Sequence, residues 1–141
     1  QYAETHENVE KSMKLSLHWA ERARKYYLDN AKKNYGAQFG IIQGGVYEDL
    51  RLESIEENLS LDFEGYAIGG LAVGEGYKKM IEVVNFTAPQ LPEEKIRYLM
   101  GVGRPKDIIE SVYRGIDIFD CVFQQGKEDM EMLMLELIHL T

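Results

Sequence analysis

The strongest constraint on this chain is a repeating alternation. Short, almost uninterrupted apolar runs are each followed by a longer stretch with helical periodicity. The runs are Gln38–Ile42, Gly65–Ile68, Ile96–Met100 and Asp117–Val122, and each reads as a strand. Continuous apolar runs of this kind are expected of parallel strands covered on both faces, not of strands with one wet face. Parallel strands need crossovers, and the intervening segments supply them. Tyr47–Leu59 and Lys78–Phe86 read as helices, and Lys106–Arg114 reads as a third, with Pro105 where that helix begins. Ahead of them, Asn8 to about Lys33 reads as one long helix, with Val9, Met13, Leu17, Trp19, Ala20 and Ala23 near the period of about 3.6 residues.

About four βα units fit either a doubly wound sheet or part of a (β/α)8 TIM barrel. A complete barrel takes about 250 residues, so a chain of 141 residues holds about half of one. Glycines favour the barrel: Gly44-Gly45, Gly69-Gly70, Gly74 and Gly101/Gly103 all follow strand C-termini. Barrel active sites are built at that end, and glycine lets backbone amides approach a ligand. Each pair on its own also fits an ordinary turn. Gly101-Val-Gly103 is followed by Arg-Pro and completes neither a dinucleotide fingerprint nor a P-loop.

Composition narrows the setting. The length suits one domain, and no apolar run approaches the roughly 18 residues of a membrane span. The first residues lack the layout of a signal peptide. A single cysteine excludes an internal disulfide and fits a cytoplasmic location. The net charge of −8 opposes a general nucleic-acid binder. The basic residues Lys11, Lys14, Arg22, Arg24, Lys25, Lys32 and Lys33 gather on the long helix and read as a solvated face.

Some residues at strand ends can carry chemistry. Asp120 closes Gly115-Ile-Asp-Ile-Phe-Asp-Cys-Val122, where a carboxylate can attack an electrophilic sugar carbon or cap the following loop. Gln43 both donates and accepts, which suits either the edge of a purine-like base or a loop hydrogen bond. Glu75 can accept protons from a base edge or brace a turn. Met100 can pack on a flat ring or in a core. Cys121, His6, His18 and His139 are scattered, and no metal site is assembled from them.

Phe39-Gly-Ile-Ile-Gln-Gly-Gly45, Tyr66-Ala-Ile-Gly-Gly-Leu-Ala-Val-Gly-Glu75, Tyr98-Leu-Met-Gly-Val-Gly103 and the Asp120 run together resemble the tRNA-guanine transglycosylases, from about Glu10 to Val122. That family is a barrel enzyme of queuosine biosynthesis, a pentosyltransferase that exchanges the wobble guanine of tRNA for a 7-deazaguanine base. The resemblance implies that Asp120 is the nucleophile of a covalent aspartyl-ribosyl intermediate. It further implies that Gln43 and the backbone of Gly70 and Leu71 bind the base, that Met100 flanks its ring, and that Glu75 steadies a switchable backbone. A first barrel half with a second catalytic aspartate would precede Gln1. The complete family works as dimers and carries zinc, whose ligands are not in this chain. The fragment is therefore expected to be inactive on its own. The rival reading is a non-catalytic accessory module that pairs with a separately encoded half-barrel or with a second copy. A flavodoxin-like domain would leave the glycine motifs as coincidence.

The resemblance divides the chain into residues 1–122, the C-terminal half of the barrel, and a non-family tail over residues 123–141. After Asp-Cys-Val the family continues Leu-Pro-Thr-Arg-x-x-Arg and then a Cys-x-Cys-x-x-Cys…His zinc site, whereas this sequence runs Phe123-Gln-Gln-Gly-Lys127. Back-translation of Val122 to Leu133, read one base earlier, permits Leu-Pro-Thr-Arg-Lys-Gly-Arg-Tyr-Gly. The tail is therefore expected to be out-of-frame translation. The alternative is an authentic helix, since Met130–Ile138 is apolar.

Overall fold

The structure, a computed structural model, describes residues 4–32, 36–71 and 73–121. Its elements are α1 (His6–Asn30), β1 (Phe39–Ile42), α2 (Glu48–Ser60), β2 (Gly65–Ile68), α3 (Tyr77–Thr87), β3 (Ile96–Leu99), α4 (Pro105–Tyr113) and β4 (Ile118–Phe119). A 3-10 turn at Ala88–Gln90 follows α3. The four strands form one parallel sheet in the order β1-β2-β3-β4. Of the expected strand Asp117–Val122, Ile118 and Phe119 alone among the described residues pair with β3. Asp117 uses its carboxylate to accept the Arg97 amide at 2.8 Å, so it ties the entry of the strand to its neighbour. Val122 and the tail lie outside the described residues.

Register decides which side chains share a face. Ile42, Ile68, Leu99 and Phe119 stand opposite one another in successive strand pairs. This row packs on Ile55 of α2 and on Met80, Val83 and Val84 of α3. Ile42, Ile68 and Leu99 are fully buried, and burial of such a side chain stabilises by roughly 1.5–3 kcal/mol. The alternate row of Ile41, Ala67, Tyr98 and Ile118 points to the opposite face.

The helices settle between the two architectures. α1 contacts α2, α2 contacts α3, and α3 contacts α4, so all lie along one side of the sheet. A doubly wound sheet divides its helices between two faces, whereas a barrel keeps them outside. The fold is thus part of a (β/α)8 barrel. The apolar runs led to an expectation of cover on both faces. Among the described residues the helices cover one face, and Ile41, Ile96 and Ile118 on the other are 40 %, 48 % and 43 % exposed. In a closed barrel that face is filled by side chains from the other strands, which is why the runs are apolar throughout.

α1 begins at Thr5, whose hydroxyl accepts the Asn8 amide at 3.3 Å as an N-cap. At about 100° per residue, Met13, Leu17, Ala20 and Arg24 fall in one stripe, the one that packs. Trp19 falls about 120° from Met13 and is exposed, and Ala23 is exposed as well, so both leave the expected apolar face. Arg24 is a further correction, because it is buried, not solvated. Its Nε donates to Leu61 O at 3.0 Å, its Nη1 meets Glu64 Oε2 at 3.0 Å, and its Nη2 donates to Asp62 O. The rings of Tyr27 and Phe63 flank the guanidinium. Lys11, Lys14 and Lys25 do lie on a solvated face, in exposed pairs with Glu7, Glu10 and Asp29. Lys33 lies outside the described residues.

Candidate active site

Parallel strands all end at one edge, so the sheet gathers residues that are distant in sequence. Gln43 follows β1, Gly69 to Leu71 follow β2, Met100 and Gly101 follow β3, and Asp120 follows β4. With strands about 4.8 Å apart, the outer two would be about 14 Å apart along a flat edge. The strands between them end in Gly69-Gly70 and Met100-Gly101, so the floor of the gap carries few side chains.

Gln43 is half-buried, and its amide donates to Ser54 Oγ of α2 at 3.0 Å. Its carboxamide lies over the loop after β2. A Cβ on Gly69 would sit 3.0 Å from Nε2, and one on Gly70 would sit 3.0 Å from Oε1. Gly70 has φ +70°, a conformation costly for any residue with a Cβ. A cleft of about 580 Å³ opens here, between Gln43, Gly44, Gly45 and Gly70 on one side and Asn8 and Ser12 of α1 on the other.

The remaining expected residues take distinct places. Leu71 turns its side chain into the core cluster. Glu75 is buried, and its Oε2 accepts the Val73 amide at 2.9 Å, which braces the turn. Met100 is half-buried, and its amide donates to Ile68 O at 3.3 Å.

Asp120 is exposed, and its Oδ1 accepts the Gly101 amide at 2.9 Å. That N–H, with the Tyr98 hydroxyl second, holds the carboxyl below the usual carboxylate range. Conversely, the hydrogen bond to Asp120 pushes the Tyr98 phenol up. An ionised, accessible and oriented carboxylate suits nucleophilic attack.

Two residues here escaped the sequence reading. Tyr98 pairs with Ile118, and Asp120 lies two residues further along the same face, so the phenol reaches the carboxylate. Arg51 of α2 is 0 % exposed and joins the loops after β1 and β2. Burial lowers it to about 10, opposed by the charge of Glu75, so the guanidinium stays protonated at neutral pH. Its signal was present: Arg51, Ser54 and Asn58 share one helix stripe, and all three are buried.

The described residues do not fit a zinc site. No group of His, Cys, Asp and Glu side chains among them could hold a metal ion. Cys121 instead packs against Gly103, where any Cβ would collide with its Sγ. No helix among the described residues is long and apolar enough to cross a membrane.

The profile of the family described as Queuine tRNA-ribosyltransferase matches residues 1–136. A queuine tRNA-ribosyltransferase of Photobacterium profundum is 54% identical over 121 residues, which are 86% of this chain and 32% of that protein. Proteins of the same name from Acinetobacter baumannii and Acinetobacter baylyi are each 54% identical over 121 residues, again 86% of this chain and 32% and 31% of theirs. The chain thus spans about a third of the length of these curated relatives. With the profile covering nearly all of it, the chain belongs to the queuine tRNA-ribosyltransferase family.

Proposed function

We propose that these residues form the nucleophile and base-reading side of a tRNA-guanine transglycosylase active site. The observation that carries this is the exposed Asp120 carboxylate at the end of β4, held by the Gly101 amide on the same edge as Gln43 and Gly70. In the proposed reaction an Asp120 oxygen attacks C1′ of the wobble ribose. The bond from C1′ to the guanine nitrogen breaks, its electron pair leaves with the base, and the base takes up a proton. The resulting aspartyl-ribosyl ester is then attacked at C1′ by the ring nitrogen of a 7-deazaguanine base. That nitrogen loses its proton and Asp120 leaves as the carboxylate. Two inversions retain the anomeric configuration. Gln43, Gly70 and Leu71 bind the base, Met100 flanks it, and Glu75 steadies the loop. The partners of the whole protein are then tRNA and the incoming base.

The 141 residues on their own are expected to be inactive, since the second carboxylate implied by the family resemblance is not among them. A second reading, an accessory module that pairs with another half-barrel or another copy, draws on the exposed row of Ile41, Ile96 and Ile118. A graft separates the two. Residues 4–121 are exchanged for the matching stretch of the Photobacterium profundum relative, and guanine exchange into tRNA is measured. The hybrid is expected to be active, with Asp120→Asn lowering the rate at least about 10³-fold, or about 4 kcal/mol of transition-state stabilisation. An active Asp120→Asn hybrid would remove the nucleophile assignment. Exchange by the 141-residue chain itself would refute the expected inactivity.

A further inference from the structure

All three nitrogens of the Arg51 guanidinium donate to main-chain carbonyls. Nε reaches Gly45 O at 2.8 Å, Nη1 reaches Ile42 O at 2.9 Å and Nη2 reaches Gly69 O at 2.8 Å. These carbonyls belong to the end of β1, the loop after β1 and the loop after β2. A guanidinium is a rigid planar fork, so carbonyls that share it are held in place relative to one another. Burying a cation is costly, and the charge of Glu75 offsets part of that cost.

The consequence lies on the far side of one peptide bond. In a trans peptide the C=O and the next N–H point in opposite directions. With Gly69 O turned to Arg51, the Gly70 N–H turns the other way. Gly70 is exposed, borders the cleft and lies beneath the Gln43 carboxamide, whereas Arg51 is wholly buried. The Gly69 amide is already engaged, since it donates to Ile42 O at 3.0 Å. Gly44 permits the close approach this needs, because a Cβ there would lie 2.7 Å from Arg51 N.

We propose that Arg51 is a positioning residue: it sets the Gly69-Gly70 peptide so that the Gly70 amide donates to an exocyclic oxygen of a heterocyclic base seated beside Gln43. This rests on the base-reading role proposed above. Arg51 touches no substrate and acts only through the peptide it orients.

The test uses the ¹⁵N-labelled 141-residue chain with guanine and 2,6-diaminopurine, in which an amino group replaces the exocyclic oxygen. The unmodified chain should bind guanine at least about tenfold more tightly, by about 1.4 kcal/mol. The Gly70 amide resonance should move on guanine addition, and that of Gly69 should not. Arg51→Lys keeps the charge but offers one compact ammonium in place of the planar fork. Its preference for guanine should fall about tenfold, and its ligand-free Gly70 resonance should shift, with the helical circular dichroism retained. Wild-type preference and an unmoved Gly70 resonance in Arg51→Lys would overturn the proposal. If the unmodified chain binds neither base, the base-reading role fails by itself, and the ligand-free Gly70 shift in Arg51→Lys decides the role of Arg51. If Arg51→Lys does not fold, hydrogen exchange in the unmodified chain decides. Slow guanidinium protons with a fast Gly70 amide support the proposal, and a protected Gly70 amide overturns it.

Discussion

The Oδ1 atom of Asp120 accepts the Gly101 amide at 2.9 Å, which joins the end of the last strand to the loop of the strand before it. That N–H is the main reason the carboxyl lies below the usual range, with the Tyr98 hydroxyl second. A lowered carboxyl favours the folded state above its unfolded value of about 3.9, and the contribution is lost as pH falls through the folded value. Tyr98→Phe should raise the Asp120 titration toward the ordinary value without reaching it, since the Gly101 amide remains. Carbon-13 titration of the aspartate carboxyls reads this directly. An unshifted Asp120 in Tyr98→Phe would mean that the phenol does not stabilise the charge.

Gly70→Ala places a Cβ at φ +70° and 3.0 Å from Gln43 Oε1. The left-handed conformation costs an L-residue about 1–2 kcal/mol, and the Gln43 carboxamide must also move. Urea unfolding should therefore show a loss of about 1–2 kcal/mol, accompanied by weaker guanine binding. Unchanged stability would indicate that the loop relaxes to a negative φ.

Arg24→Met removes a buried fork that holds Leu61 O, Asp62 O and Glu64. Unmet carbonyls at a partly buried turn should lower stability by about 2–3 kcal/mol. Lys25→Ala, one residue away but in an exposed pair with Asp29, should cost less than about 0.5 kcal/mol. Chemical unfolding of the two variants side by side checks the contrast, and equal losses would contradict the clamp.

The codons for Val122 to Leu133 test the expectation that the tail is translated out of frame. Read one base earlier, they should spell Leu-Pro-Thr-Arg-Lys-Gly-Arg-Tyr-Gly. Any codon incompatible with that reading makes the tail an authentic sequence.

Much of the architecture was legible because burial leaves a periodic trace. Gly65–Ile68 has the same bounds in the sequence reading and in the structure. Strand β1 differs from its expected range only by one residue, and α2, α3 and α4 agree within one residue at each end. The strand-end positions of Gln43, Met100 and Asp120 were visible for the same reason, since an apolar run ends where a polar residue or a turn begins. The short pairing of β4 was not visible, because it depends on register with Tyr98 and Leu99 about twenty residues away and not on the local run.

The sequence by itself determined the alternation of strands and helices, the common edge at which candidate residues gather, and the motifs that point to the family. These are local or periodic properties, and each is carried by consecutive residues. Only the tertiary structure decided that Arg24 and Arg51 are buried anchors, that Trp19 is exposed, and that Tyr98 meets Asp120. A charged side chain on a helix is ordinarily solvated, and what buries it is a set of carbonyls supplied by distant loops. That arrangement exists only once the strands have paired in register.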